Sequence, residues 1–381
     1  MKVGFYGHTR QYHNLKADLD KAISDVLESG AYVMGPTLTR FEKELAEYHG
    51  MKYAVGINSG TDGLWLPLMA LGVGPGDEVI TTSNTFFATA EAIWIAGATA
   101  VFVDSDPLTN NIDVTKIEEA ITPKTKAIIP VHLYGQCAQM DKIAEIAKKH
   151  KLFVIEDNAQ SFDAAGANFK IGELSDAVST SFIIQKNLGT FGDGGAIITN
   201  NERIATEVKR LRNHGSLKRS VHSFGFNSRL DDLHAAILSV KMKHIHAWSN
   251  RRAEIAAMYT KALSGTSLKL PHTLPGYRHV YHLYVIETLD GKRDEMLAFL
   301  ESQGVDAKCH YPIAIHQQEG YPWGKQARIV GSLKNTEANA ANCISLPMFP
   351  ELTQEEIDFV IVKVLEWCNK KPSCGCGCGC G

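Results

Sequence analysis

The chain has 381 residues, a formal net charge of -3, 44% hydrophobic residues and 21% charged residues. This length exceeds one ordinary domain and predicts one large and one smaller domain. The lack of a basic surplus argues against nucleic acid as a partner, and without an apolar run of about 18 residues no membrane span is expected. The N-terminus lacks the apolar core of a signal peptide, so we expect a cytosolic protein.

Strand-like and helix-like segments alternate through the first half of the chain. Residues 13–29 and 37–49 have the apolar spacing of amphipathic helices. Short apolar strands separated by helices follow, at residues 53–57, 78–82, 99–104, 127–131, 152–155, 177–184 and 195–199. Such alternation predicts crossover units and a mostly parallel sheet covered on both faces. Only a loop joins the last two strands, which predicts an antiparallel part.

The pattern changes near residue 247. A second set of helices and strand-like segments is predicted at residues 247–263, 277–286, 293–303 and 355–367. We therefore predict an α/β protein with an N-terminal segment and large domain over residues 1–246. A small C-terminal α/β domain is predicted over residues 247–370, and a flexible Cys-Gly tail over residues 371–381.

Four cysteines of that tail alternate with glycine: Cys374, Cys376, Cys378 and Cys380. Thiolates are suitable ligands for soft metals such as zinc or copper(I). The spacing lacks the C-x2-C pairs of a structural zinc site, and no histidine accompanies it. We therefore favour a flexible, oxidisable tail and predict no metal site.

A candidate anion site lies between a predicted strand and the next helix, at residues 58–61. Gly60 permits close backbone approach, hydroxyl groups can donate hydrogen bonds, and a helix N-terminus favours an anion such as phosphate. An ordinary helix cap explains Ser59 and Thr61 equally well. These residues alone leave both interpretations open.

Two further candidates follow buried strands, where the carboxyl edge of an open sheet binds ligands. An aromatic ring at Phe86 or Phe87 can stack on a planar ligand, although core packing is the alternative. Asp157 needs a positive partner if it is buried, and a protonated pyridine nitrogen would be one. A helix-cap carboxylate is the alternative for Asp157. Gln160 follows and can donate to an oxygen on the same ligand ring.

Lys186 is the most informative residue. Taken alone it would be a solvent-exposed lysine, but it follows an apolar strand and precedes the glycine-rich loop 192–195. A partly desolvated lysine loses its proton more readily, as Schiff-base chemistry requires. A lysine for the Schiff base and a carboxylate for the ring nitrogen are the two groups that pyridoxal 5'-phosphate (PLP) chemistry needs.

With these motifs the chain resembles the PLP-dependent sugar aminotransferases of the DegT/DnrJ/StrS type, over about residues 8–365. The matching stretches are residues 35–36, 59–62, 76–80, 131–136, 156–160, 181–189, 192–196, 212–215 and 227–230. The resemblance implies the aspartate-aminotransferase fold, which is PLP fold type I with a mostly parallel, seven-stranded-type sheet. It also implies a homodimer with two active sites at the subunit interface.

The resemblance also implies roles for individual residues. Lys186 would be the catalytic lysine that carries PLP, Asp157 would contact the ring nitrogen, Gln160 would lie near the ring hydroxyl and Phe86 would cover the ring face. Phosphate contacts are implied for Gly60, Thr61, Ser181 and, from the partner subunit, Asn227. Substrate contacts are implied for Arg229, His310 and Tyr311.

The implied reaction moves an amino group from an amino-acid donor, expected to be L-glutamate, to a keto sugar, expected to be a nucleotide-linked keto-deoxysugar. A keto-cyclitol or a keto sugar acid is an alternative acceptor. A PLP-dependent sugar dehydratase is another alternative, but relatives of that branch have histidine at the position of Lys186. A non-enzymatic regulator would be supported by loss of Lys186 or Asp157, and both are present. Residues 183–185 depart from many relatives, which puts nearby substrate contacts in doubt.

Overall fold

The computed structural model describes residues 1–218, 220–320 and 326–369. These residues form twelve α-helices, α1 to α12, with the following bounds: His8–Ser29, Pro36–His49, Asp62–Ala70, Ala88–Ile95, Ile117–Ala120, Met140–His150, Glu202–Leu211, Asp232–Met242, Ile245–Leu263, Arg293–Ser302, Lys334–Asn342 and Gln354–Cys368. Ten strands, β1 to β10, have the following bounds: Tyr53–Ile57, Glu78–Thr82, Thr99–Val103, Thr125–Ile129, Phe153–Asp157, Ala177–Ser181, Gly195–Thr199, Tyr284–Glu287, Ala327–Ile329 and Cys343–Leu346. The predicted Cys-Gly tail lies outside the described residues.

Local sequence signals account for several helix ends. Helix α2 begins with Pro36, whose fixed backbone angle suits a first helical position, and it ends at Gly50 in a left-handed conformation. Helix α12 begins with a capping box, in which the Glu356 amide donates to Thr353 Oγ1 and the Thr353 amide donates to the Glu356 carboxylate. Helix α2 then packs against one face of the main sheet through Leu38 and Phe41, whereas α12 packs in the C-terminal part of the chain.

The main sheet has eight strands in the order β1-β7-β6-β5-β4-β2-β3-β9. Strands β6, β5, β4, β2, β3 and β9 run parallel, whereas β7 is antiparallel to both β1 and β6. The predicted mixture of a mostly parallel sheet with an antiparallel part is confirmed. Seven strands come from the first 199 residues, and β9 adds an eighth from the C-terminal part of the chain.

Two predicted strands are shorter in the structure. Strand β6 ends at Ser181 instead of residue 184. Phe182 still pairs with Gly194, but the chain then turns back, because the Thr190 amide donates to the carbonyl of Phe182 and the Lys186 amide donates to the carbonyl of Ile183. The strand predicted at residues 277–286 is confined to β8, which pairs with β10 in a separate two-stranded sheet. Helices α7, α8 and α11 were not predicted, although Asn201 caps α7 through Arg203 and Ile204.

Apolar side chains are buried on both faces of the main sheet. Ile80, Val101 and Ile128 belong to the cluster on one face, and the neighbouring residues Val79 and Ala127 belong to the cluster on the other. A third cluster lies in the C-terminal part, around α9, α10, α12 and the small sheet. This arrangement leaves the carboxyl ends of β2, β4, β5 and β6 free to build a site.

Membrane-spanning helices and metal-binding groups are both absent from the described part of the chain. None of its helices combines the length and apolarity needed to cross a bilayer. Its His, Cys, Asp and Glu side chains form no group of three or more that could hold a metal ion.

Candidate active site

A cavity of about 440 Å³ opens at the carboxyl edge of the parallel strands. Most of the residues predicted for the site line this one cavity, although they come from five separate segments of the chain. They are Gly60, Thr61, Phe86, Asp157, Gln160, Ser181, Lys186, His310 and Tyr311. Asn227 and Arg229 do not line the cavity of their own chain.

Glycines and hydroxyl groups form one end of the cavity. A Cβ atom at Gly60 would lie 2.6 Å from the Cβ of Ser181, and a Cβ at Gly195 would lie 2.5 Å from the backbone of Ser59. The loop therefore requires glycine at both positions in order to approach the sheet. The Asp62 amide donates to Ser59 Oγ at 3.1 Å, so Ser59 serves as a cap and Thr61 does not. Thr61 is left to line the cavity.

Asp157 is the last residue of β5 and is only 6% exposed. Its Oδ1 accepts a hydrogen bond from the Ala159 amide at 3.2 Å, and its Oδ2 accepts one from Thr89 Oγ1 at 2.9 Å. Among the described residues, no basic side chain forms an ion pair with this carboxylate. Burial raises the pKa of Asp157, while the two hydrogen bonds and the charge of Lys186 oppose that rise. The site therefore contains a buried carboxyl group without a paired cation.

Lys186 lies in the tight turn after β6, where its amide donates to the carbonyl of Ile183 at 2.9 Å. Burial lowers the pKa of Lys186 to about 8, and the negative charge of Asp157 opposes that change. The neighbouring Asn187 is hydrogen-bonded to His282 Nδ1 at 2.9 Å, which fixes the turn against the C-terminal part of the chain. Within the described chain the Nζ atom of Lys186 makes no hydrogen bond, so it is available to react.

Gln160 joins two walls of the cavity. Its Oε1 accepts from the Tyr134 amide at 2.7 Å, and its Nε2 donates to the hydroxyl of Tyr311 at 2.9 Å. The Phe86 ring is 56% exposed at the mouth, with its centroid 5.7 Å from that of Tyr311. Of the two candidates Phe86 and Phe87, core packing applies to Phe87, which packs against the apolar cluster on one face of the sheet.

His310 and Tyr311 form the opposite wall. His310 Nδ1 is 2.9 Å from Ser345 Oγ, and its ring stacks on Phe5 with centroids 5.6 Å apart. Burial lowers the pKa of His310 to about 4, with smaller contributions from the positive charges of Lys186 and Lys308. The imidazole is therefore neutral at pH 7 and presents a hydrogen-bonding, uncharged surface to the cavity.

Asn227 and Arg229 lie on a separate segment of the chain. Asn227 pairs with Asn213 through an isolated antiparallel bridge. Arg229 Nη1 donates to Asn213 Oδ1 at 3.1 Å. Their predicted contacts with the phosphate and the substrate cannot be made within one chain, so these two roles stay predictions.

Among the cavity residues that sequence reasoning missed are Tyr6, Thr85, Thr89 and His282. Tyr6 comes from the N-terminal segment and His282 from the bend before β8, so no local pattern connects either of them with Lys186. Thr89 could have been found, because a hydroxyl four residues after Thr85 at the start of a helix beside the sheet edge is visible in the sequence.

The donor set of this cavity fits PLP. A buried carboxylate without a paired cation suits a protonated ring nitrogen, and a lysine with a lowered pKa suits covalent attachment. The close approach of Gly60 and Gly195 beside Thr61 and Ser181 gives a backbone and hydroxyl cradle of the kind that binds phosphate.

Of three similar proteins, one is named as a regulatory protein and two are named as sugar aminotransferases. The chain is 44% identical to a pleiotropic regulatory protein of Geobacillus stearothermophilus, over 96% of this chain and 99% of that protein. It is 41% identical to the dTDP-3-amino-3,4,6-trideoxy-alpha-D-glucose transaminase of Streptomyces venezuelae, over 97% of each chain. It is also 41% identical to the UDP-2-acetamido-2-deoxy-3-oxo-D-glucuronate aminotransferase of Pseudomonas aeruginosa, over 94% of this chain and 98% of that enzyme.

Solved structures show the same fold. The crystal structure of S. venezuelae DesV in complex with a ketimine intermediate has a TM-score of 0.94 and 40% identity, covering 97% of this chain and 99% of DesV. The structure of NtdA from Bacillus subtilis with bound cofactor PMP has a TM-score of 0.88 and 35% identity, covering 97% of this chain and 86% of NtdA. The pattern of the DegT/DnrJ/EryC1/StrS aminotransferase family matches residues 13–365. The chain therefore belongs to this family and is a PLP-dependent aminotransferase.

Proposed function

We propose that this enzyme transfers an amino group from L-glutamate to a nucleotide-linked keto-deoxysugar. The observation that carries the proposal is the presence of Lys186 and Asp157 in one cavity, the lysine with a lowered pKa and the carboxylate without a paired cation. The relatives from S. venezuelae and P. aeruginosa are named for a dTDP-linked and a UDP-linked sugar, respectively, which supports a nucleotide-linked acceptor.

PLP, when bound, supplies an electron sink that stabilises negative charge on the carbon next to the transferred nitrogen. We assign its covalent attachment to Lys186 Nζ and the retention of a proton on its ring nitrogen to Asp157. Lys186 Nζ, once released from the cofactor, would take the proton from the α-carbon of the donor as a general base and deliver it to the cofactor carbon as a general acid. A pKa of about 8 suits both tasks near neutral pH, because neither protonation state is strongly disfavoured.

The remaining cavity residues bind and orient. Gly60, Thr61 and Ser181 would hold the phosphate, and Phe86 would cover one face of the ring from the mouth of the cavity. Gln160 would donate to the ring hydroxyl. His310 and Tyr311 would contact the sugar, since both are uncharged at pH 7 and can exchange hydrogen bonds with hydroxyl groups.

A second copy of the chain would complete the site. Exposed apolar side chains lie near the segment that carries Asn227 and Arg229: Phe224 is 97% exposed, and Tyr32, Val33 and Met34 are each more than 40% exposed. Apolar side chains exposed in this number are typical of a protein interface. We propose a homodimer in which Asn227 reaches the phosphate and Arg229 the substrate in the partner's cavity.

The domain division stays a proposal with boundaries at residues 1–246, 247–370 and 371–381. The apolar cluster of the C-terminal part supports it. Two elements cross the boundary, because Val3 packs into that cluster and β9 joins the main sheet.

Covalent attachment can be tested by reducing the holoenzyme with borohydride and mapping the labelled peptide. We expect the coenzyme adduct on Lys186. An adduct on another lysine, or none, would contradict the assignment.

The acceptor can be identified by mass analysis of products from a panel of keto sugars, keto-cyclitols and keto sugar acids with glutamate. We expect an amine on a nucleotide-linked keto sugar, together with 2-oxoglutarate. A dehydrated product without nitrogen would support a dehydratase instead. Amination of free cyclitols alone would show that the acceptor is a cyclitol and not a sugar.

The shared site can be tested by mixing two inactive variants, Lys186→Ala and Asn227→Asp, after dissociation and reassociation. Random reassociation makes about half of the dimers mixed. If Asn227 acts across the interface, each mixed dimer has one intact site, so about a quarter of wild-type activity returns. Absence of any recovery, with mixed dimers present by native mass spectrometry, would place Asn227 in its own subunit's site.

A further inference from the structure

Two buried threonine hydroxyls form a short chain that ends on Asp157. Thr85 precedes α4 and Thr89 lies in its first turn, so the two side chains are stacked on the same side. Thr85 Oγ1 is 3.0 Å from Thr89 Oγ1, and Thr89 Oγ1 is 2.9 Å from Asp157 Oδ2. All three residues line the cavity, with exposures of 4%, 0% and 6%, respectively. This contact belongs to no motif used above.

The chemistry of the three groups determines which group donates and which accepts in each of the two hydrogen bonds. An ionised carboxylate can only accept hydrogen bonds, so Thr89 must give its single hydroxyl proton to Asp157. The oxygen of Thr89 then accepts the proton of Thr85. Each hydrogen bond polarises the next, which strengthens donation to the carboxylate. A protonated Asp157 would lose this donation or reverse it.

Few other groups around Asp157 favour its ionised form, so the hydrogen-bond chain from Thr85 and Thr89 is important for that ionisation. The titratable neighbours that face the carboxylate are Lys186, His132 and Tyr311. His132 is already bound to Glu156, with 2.7 Å between Nε2 and Oε2. Thr89 and the Ala159 amide donate hydrogen bonds to the carboxylate, whereas burial opposes its charge.

We propose that Thr89, supported by Thr85, is a positioning residue that keeps Asp157 ionised and rotationally fixed for the ring nitrogen of PLP. The inference rests on the proposed role of Asp157 and adds the group that maintains it. Thr89 acts through Asp157, not on the substrate.

The test compares four variants of the full-length protein, before and after loading with PLP. Thr89→Val removes the hydroxyl at nearly constant shape, Thr89→Ser keeps it, and Thr85→Val removes the second hydroxyl. Thr81→Val is the matched control, because Thr81 is fully buried and donates to the Ile129 carbonyl at 2.8 Å, away from Asp157. The readouts are the pH titration of the Asp157 carboxyl by infrared difference spectroscopy, with Asp157→Asn as the blank, and the dissociation constant of PLP.

In Thr89→Val we expect the acid dissociation constant of Asp157 to fall about tenfold and PLP to bind about tenfold more weakly. Thr89→Ser should behave as wild type, and Thr85→Val should change both quantities in the same direction by a smaller factor. Thr81→Val should change neither. If Thr89→Val does not fold, the shift in Thr85→Val decides.

Three results would overturn the inference: an unchanged Asp157 titration in the foldable valine variants, a shift in Thr89→Ser as large as in Thr89→Val, or an equal shift in Thr81→Val. Its failure is distinguishable from failure of the proposed function. An unchanged titration with the borohydride adduct on Lys186 refutes only the role of Thr89. A tenfold shift with the adduct on another lysine refutes only the assignment of Lys186.

Discussion

The two walls of the cavity are built in different ways. The cofactor wall consists of the ends of β5 and β6, where Asp157 is the last residue of β5 and Lys186 lies in the turn that follows β6. The substrate wall consists of His310 and Tyr311, which reach the cavity from a segment without regular structure. The cofactor wall carries the charges, whereas the substrate wall carries groups that burial keeps neutral.

From this difference we predict that the cofactor wall performs the chemistry and that the substrate wall orients the substrate. Charged groups with shifted pKa values can transfer or hold protons, so changes to them should reduce turnover itself. Neutral hydrogen-bonding groups orient a substrate, so changes to them should act mainly on its binding.

Replacement of Lys186 by alanine should abolish covalent attachment and reduce turnover about 10³-fold, because both the anchor and the proton carrier are lost. Steady-state kinetics and the absorption spectrum of bound PLP would measure this. Lys142→Ala, at an exposed position of α6, is the control for loss of a lysine. If turnover of Lys186→Ala stayed within a few fold of wild type, the assignment of the chemistry to the cofactor wall would be wrong.

Replacement of Asp157 by asparagine should weaken PLP binding and reduce turnover about 10²-fold, because an amide of the same shape cannot pair with a protonated ring nitrogen. The dissociation constant of PLP and kcat are the two measurements. An unchanged dissociation constant would show that Asp157 does not face the ring nitrogen. Lys186 should still form the borohydride adduct, which separates the two roles.

Replacement of Tyr311 by phenylalanine should raise KM for the sugar about fivefold and leave kcat nearly unchanged, because one hydrogen bond with Gln160 or the substrate is lost. The comparison with Asp157→Asn is informative, since the two changes act on opposite walls. A drop in kcat with unchanged KM would assign Tyr311 to the chemistry.

The substrate wall should also limit stability in acid. The pKa of His310 is about 4 in the folded protein and 6.5 ordinarily, so the unfolded chain binds the proton more readily. The full contribution is present above pH 6.5 and is lost as the pH falls towards 4. Between pH 7 and pH 5, the unfolding free energy of His310→Gln should fall by about 2 kcal/mol less than that of the wild type. Urea unfolding at both pH values measures this, and equal losses would contradict the pKa.

The sequence by itself determined much of the cofactor wall. Apolar strands followed by Asp157 and by the Lys186 loop are local patterns, and parallel strands bring their carboxyl ends to one edge. The alternation of strands and helices likewise predicted the sheet, including its antiparallel part. The prediction of the sheet is confirmed, because periodicity and chain direction are short-range properties.

Tertiary structure alone decided the rest. Gln160 and Tyr311 are 151 residues apart in sequence, and Thr89 lies 68 residues before Asp157, yet both pairs are hydrogen-bonded. Phe182, just after the end of β6, pairs with Gly194, and β9 joins the sheet from the far end of the chain. Contacts of this kind follow from how elements pack against one another, and no local sequence pattern encodes which distant side chain will meet a given strand end.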